Sequence, residues 1–100
     1  MKAARFHPDA EAEVRQALAY YAGQRHGLDS EFRHELEVAL NRVRENPLIC
    51  SVEYDVDVRY CSLKRFPYQL VFLELSDCVW IAAVAHQRRR PHYWMSRSPD

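Results

Sequence analysis

Two apolar runs near the C-terminal end limit what this chain can fold into. Residues 68–75 and 78–86 are apolar at nearly every position and are separated by Ser76 and Asp77. Runs of this length, rich in Val, Phe, Ile and Leu around a two-residue polar break, are expected to form an antiparallel hairpin. Continuous rather than alternating apolarity implies strands covered on both faces. The rest of the chain therefore has to supply cover.

The helices come first. Pro8 suits the first turn of a helix, and Asp9, Glu11 and Glu13 place negative charge near the positive end of its dipole. Ala10, Val14, Ala17, Leu18 and Tyr21 recur at helical spacing over about four turns, with Gly23 and Gly27 bracketing the end. A second helix is predicted over residues 29–45, with a stripe of Phe32, Leu36, Ala39, Leu40 and Val43, stopped by Asn46-Pro47. Two neighbouring helices with one apolar face each are expected to pair as a hairpin on one face of a sheet. A first strand is expected over residues 3–7, and three more over 58–64, 67–75 and 78–86. Residues 48–57, with Glu53, Asp55 and Asp57 alternating with apolar positions, read as an acidic loop or a short edge strand. The expected fold class is α+β: a helical hairpin on one face of a small, mainly antiparallel sheet, ordered β-α-α-β-β-β. The second sheet face needs another cover, such as a partner chain.

One hundred residues make a single domain over 1–100 with one modest core. The formal charge is zero, but residues 1–57 hold seven Lys/Arg against eleven Asp/Glu, and residues 58–100 hold seven against three. That split leaves a basic face for an anionic partner. The longest apolar run, residues 79–85, is far short of the ~20 residues that span a bilayer, and residues 1–6 carry no signal-like stretch. Cys50, Cys61 and Cys78 are widely spaced, with no Cys-x-x-Cys pair. They read as buried reduced thiols of a cytoplasmic protein, and no metal site or cofactor is expected.

Chemistry concentrates after the strands begin. Side-chain alternation would put Arg59, Cys61, Leu63 and Arg65 on one face of their strand, and Trp80, Ala82, Val84 and His86 on one face of the last. His86 leads into Arg88, Arg89 and Arg90, then His92, Tyr93 and Trp94. Metal-free RNA cleavage needs a proton acceptor, a proton donor and cations for the developing phosphorane. His86 would accept, Arg65 and Arg88 would stabilise charge, and Tyr93 would stack on a base or donate a proton. The structural alternatives are a solvated arginine run, a hydrogen-bonded histidine ending a strand, and Tyr93 and Trp94 packing the tail against the sheet.

The residues resemble the RelE/ParE superfamily of small toxins from bacterial type II toxin–antitoxin modules. The resemblance runs from about Arg5 to Arg97 through Ala10-x-x-x-Val14, Tyr20-Tyr21, Phe32-x-x-Glu35-Leu36, Pro47, Arg59, Phe66-Pro67-Tyr68-x-Leu70-Val71-Phe72 and residues 81–86 with Arg88, Pro91 and Trp94. It implies a toxin neutralised in a hetero-oligomer by a cognate antitoxin whose disordered tail folds onto it. Phe66-Pro67-Tyr68 and His86-x-x-Arg-x-Pro-x-x-Trp94 look like ParE or plasmid-stabilisation toxins, which implies inhibition of DNA gyrase without catalysis. The target and antitoxin surface is then expected at Arg59, Lys64, Arg65, His86, Arg88, Arg89, Arg90, Tyr93 and Trp94. The alternative is a RelE-like, ribosome-dependent mRNA endonuclease using Arg65, His86, Arg88 and Tyr93. The acidic residues at 52–57 weigh against it, because carboxylates repel phosphate.

Overall fold

In the computed structural model, which describes residues 1–52 and 57–99 (Ile49 by its backbone alone), the chain begins with strand β1, Ala3–Phe6. Helix α1, Pro8–Gln24, starts at once. His7 caps it by accepting the Asp9 N–H on Nδ1 at 3.0 Å, and Pro8 occupies the first turn, where its missing N–H costs nothing. Helix α2, Leu28–Glu45, follows after three residues. Gly27 makes that reversal with φ +85°, a conformation that side chains rarely adopt. Arg42 and Arg44 sit in the last turn of α2, where cations complement the dipole, and Pro47, which lacks the N–H, ends the α-helical ladder. Arg44 Nε then donates to Lys2 O at 2.7 Å, tying the end of α2 to the start of β1.

A single 3-10 turn, Pro47–Ile49, leads to the two-residue strand β2, Ser51–Val52. Strands β3 (Val58–Ser62), β4 (Tyr68–Glu74) and β5 (Cys78–His86) complete a five-stranded sheet in the order β1-β5-β4-β3-β2. All pairings are antiparallel except β1 beside β5. Glu53, Asp55 and the rest of 53–56, on which the acidic-stretch reading falls, lie outside the described residues.

The centres of β4 and β5 are buried on both sides, as the apolar runs required. Towards the helices, Leu70, Phe72, Val79, Ile81 and Val84 meet Ala10, Ala17, Leu36, Ala39 and Val43. Within this core lies an aromatic group in which Phe32, fully buried, packs edge-on to Phe66 and Tyr68 and stacks with Tyr21. On the opposite face Val71, Trp80, Ala82, Ala83 and Ala85 are covered by Trp94 and Tyr93 of the chain's own C-terminal segment. The second cover thus comes from within the chain.

One expectation fails. Trp80, Ala82, Val84 and His86 do not share a face. Phe72 pairs with Ile81 but Val71 pairs with Ala83, so Ala82 is an extra residue in β5. This bulge reverses the alternation beyond it. Trp80, Ala82, Ala83 and Ala85 face the C-terminal segment, and Val84 returns to the helix side. His86 follows it there, beside α1. Among the described residues no helix is long and apolar enough to cross a membrane.

Candidate functional site

The bulge brings the end of β5 under α1, and a cleft of about 740 Å³ opens between them. Its wall is aromatic. Tyr68 lies opposite His86 in the β4–β5 register, with ring centroids 4.9 Å apart and nearly perpendicular. Tyr20 and Tyr21 of α1 form the other side, and Tyr20 is 59% exposed. Arg88 and Arg89 stand exposed at its edge. The turn that places them is closed by two bonds: Arg89 N–H donates to His86 O at 3.0 Å, and Gln87 N–H to Pro67 O at 2.9 Å. His86 Nδ1 accepts the Arg88 N–H at 3.0 Å, so a neutral His86 carries its proton on Nε2. Rings flanked by guanidinium groups suit a carboxylate-bearing or planar partner group.

A buried acid underlies this cleft. Glu13, 9% exposed, sits on the inner face of α1. β1 ends at Phe6 opposite Ile81, so residues 82–86 of β5 have no strand on that side among the described residues. Side chains replace it. Glu13 Oε1 accepts the Val84 N–H at 2.9 Å, and Arg97 Nη1 donates to Ala82 O at 2.9 Å. Arg97 also donates to both Glu13 oxygens, at 3.1 and 3.0 Å, and Tyr93 OH donates to Oε2 at 2.7 Å. Every acceptor site of a buried carboxylate needs such a partner.

This arrangement fixes protonation. Burial first, and then the bond to Glu13, push the Tyr93 hydroxyl far above its ordinary range, so it stays a donor. Burial works against the charge on Arg97, but the Glu13 hydrogen bonds together with the attraction of Glu13, Tyr93 and Asp9 outweigh it and leave the guanidinium above its ordinary value. Arg89 stacks over the Tyr93 ring at 3.9 Å, and Arg97 lies 5.2 Å from the same centroid.

The cleft therefore gathers His86, Arg88, Arg89 and Tyr93. Arg90 lines a smaller adjoining hollow with Trp94, on the far side of the turn. Arg59, Lys64 and Arg65 lie outside both linings. Arg59 donates to Cys50 O at 2.9 Å, and Lys64 is exposed in the β3–β4 connection. Arg65, in the same connection with φ +70°, bonds to Glu31 and lies 3.8 Å from Glu35 on α2. The Arg65 hydrogen bond, followed by that of Arg25, holds the Glu31 carboxyl below the usual carboxylate range.

Sequence reasoning did not place Glu13, Tyr20, Tyr21, Tyr68 or Arg97 at the site. Glu13 carried a visible signal. It lies three residues after Ala10 and four before Ala17, inside the apolar stripe of its helix.

Comparison with known proteins agrees with this architecture. The family model for the ParE toxin of type II toxin–antitoxin systems, parDE, matches residues 4–91. The chain belongs to this family. Among solved structures, a chain described as the chromosomal ParDE toxin–antitoxin system from P. aeruginosa superposes with a TM-score of 0.68. The match covers 86% of this chain and 96% of that one at 13% identity, a likeness of fold. No curated protein sequence matches the chain.

Proposed function

We propose that this ParE-family toxin acts in the cytoplasm as a non-enzymatic protein inhibitor of DNA gyrase, and that a cognate antitoxin neutralises it by folding a disordered tail onto it. The observation that carries the reading is the occupied state of the groups a nuclease would need. The Tyr93 hydroxyl donates a hydrogen bond to Glu13, Arg65 is paired on α2 away from the cleft, and His86 Nδ1 accepts the Arg88 N–H. What remains exposed is Arg88 and Arg89 beside Tyr20, with Arg90 on the far side of the turn, a composition typical of protein recognition, where Arg and Tyr are enriched. An acidic, amphipathic antitoxin segment would complement the same charge. Residues 1–100 act as one domain in this account.

Expression of the chain without any antitoxin tests the proposal in cells. Double-strand breaks and a DNA-damage response, with messages intact, are expected. Rapid cleavage of translated messages without DNA breaks would instead indicate the ribosome as target. Harmless expression of soluble, folded protein would show a chain that has lost toxicity.

A further inference from the structure

Two sulfurs at the other end of the sheet are idle in this function. Cys50, Cys61 and Cys78 are all free and buried. β2 and β3 pair Ser51 with Tyr60 and Val52 with Arg59, so one step back along the ladder sets Cys50 opposite Cys61. Cys50 has extended backbone angles, φ −87° and ψ 154°, which continue the strand geometry. Directly opposed residues of an antiparallel pair have Cα atoms roughly 4.5–5.5 Å apart, inside the roughly 4.4–6.8 Å that a disulfide bridges. Both side chains belong to the helix-side core, and burial, then the Cys61 thiol, push the Cys50 thiol upward. Both also line a surface hollow of about 200 Å³ with Arg42, Ser51, Tyr60 and Ser62. Arg42 Nη1 approaches Cys61 Sγ to 3.9 Å. Cys78, 1% exposed on β5, shares neither the hollow nor the register.

We propose that Cys50 and Cys61 form a dithiol modification site, closed to an intramolecular disulfide across β2 and β3 by a small disulfide oxidant such as oxidised glutathione. One thiol loses its proton and attacks a sulfur of the oxidant, breaking its S–S bond and releasing one thiol. The second cysteine loses its proton and attacks the mixed disulfide, releasing the other thiol. Two cysteine S–H bonds are lost, one protein S–S bond forms, and the oxidant takes up two electrons and two protons. The bond encloses residues 50–61 in a ring and fastens the β2 edge of the sheet. It also anchors Arg59, whose guanidinium donates to Cys50 O. The site stands independently of the toxin's target.

The test uses the full reduced protein incubated with oxidised glutathione, then alkylated and mapped by mass spectrometry without reduction. A peptide containing Cys50 joined to one containing Cys61 is expected, with Cys78 alkylated. The melting temperature should rise by about 10 °C, reversibly on adding dithiothreitol. Cys78→Ser should leave the crosslink intact and Cys61→Ser should abolish it; the wild-type map stands alone if either variant misfolds. Persistent single glutathione adducts, a link to Cys78, a disulfide-bonded dimer, or three unmodified thiols would each overturn the proposal.

Discussion

A carboxylate as enclosed as Glu13 persists in a protein interior where donors surround it, and here Val84 N–H, Tyr93 OH and Arg97 do so. Removing the acid strands the Arg97 charge and two further donors. Glu13→Ala is therefore expected to lose about 3 kcal/mol in urea denaturation, and Glu13→Gln less, because one amide oxygen remains to accept. The tyrosines set a second expectation at this scale. Tyr21, Tyr68 and Tyr93 are all raised above the ordinary value of 10.0, with burial the leading cause in each. Their neutral forms favour the folded state, so the contribution is complete below that value. It is lost as pH rises above it, because the unfolded chain ionises first. Denaturation midpoints should fall as pH rises from about 10, and Tyr93→Phe should flatten that fall. The sequence showed Glu13 as one of several acids near a helix start. Its place inside the apolar stripe marked it as buried, but its partners could not be read there, because Tyr93 and Arg97 lie eighty or more positions away.

At the scale of elements, periodicity carried most of the information. The stripe of Phe32, Leu36, Ala39 and Val43 is the buried face of α2, and Ser76-Asp77 separates β4 from β5 as expected. The bulge at Ala82 was hidden for a physical reason. Alanine fits either face of a sheet, so the Ala82-Ala83 pair carries no mark of which residue is extra. That one residue decides whether His86 meets α1 or the C-terminal segment. The cleft could therefore be foreseen as a cluster in sequence but not as a place between α1 and β5. The helix–sheet contact itself hinges on Phe32, fully buried among Tyr21, Phe66 and Tyr68. Phe32→Ala should cost about 3–5 kcal/mol, measured by equilibrium unfolding.

Across the whole molecule, the neutral sum of charges conceals a division of labour. Acids of the helices neutralise Arg25, Arg65 and Arg97 internally, and the exposed surplus collects at Arg88, Arg89 and Arg90 beyond β5. The C-terminal segment links this surplus to the core through Trp94, which is 7% exposed against Trp80 and Val71. Trp94→Ala should destabilise the fold by about 3 kcal/mol and increase binding of the dye ANS, as the uncovered sheet face meets solvent. Most direct for the central claim is a supercoiling and cleavage assay with purified gyrase, ATP and relaxed plasmid. The expected result is loss of supercoiling and linear DNA released on protein denaturation, both weakened when Arg88→Glu and Arg89→Glu are combined in a protein of unchanged melting temperature. Undiminished supercoiling with no linear DNA, at a molar excess of folded toxin, would contradict the account.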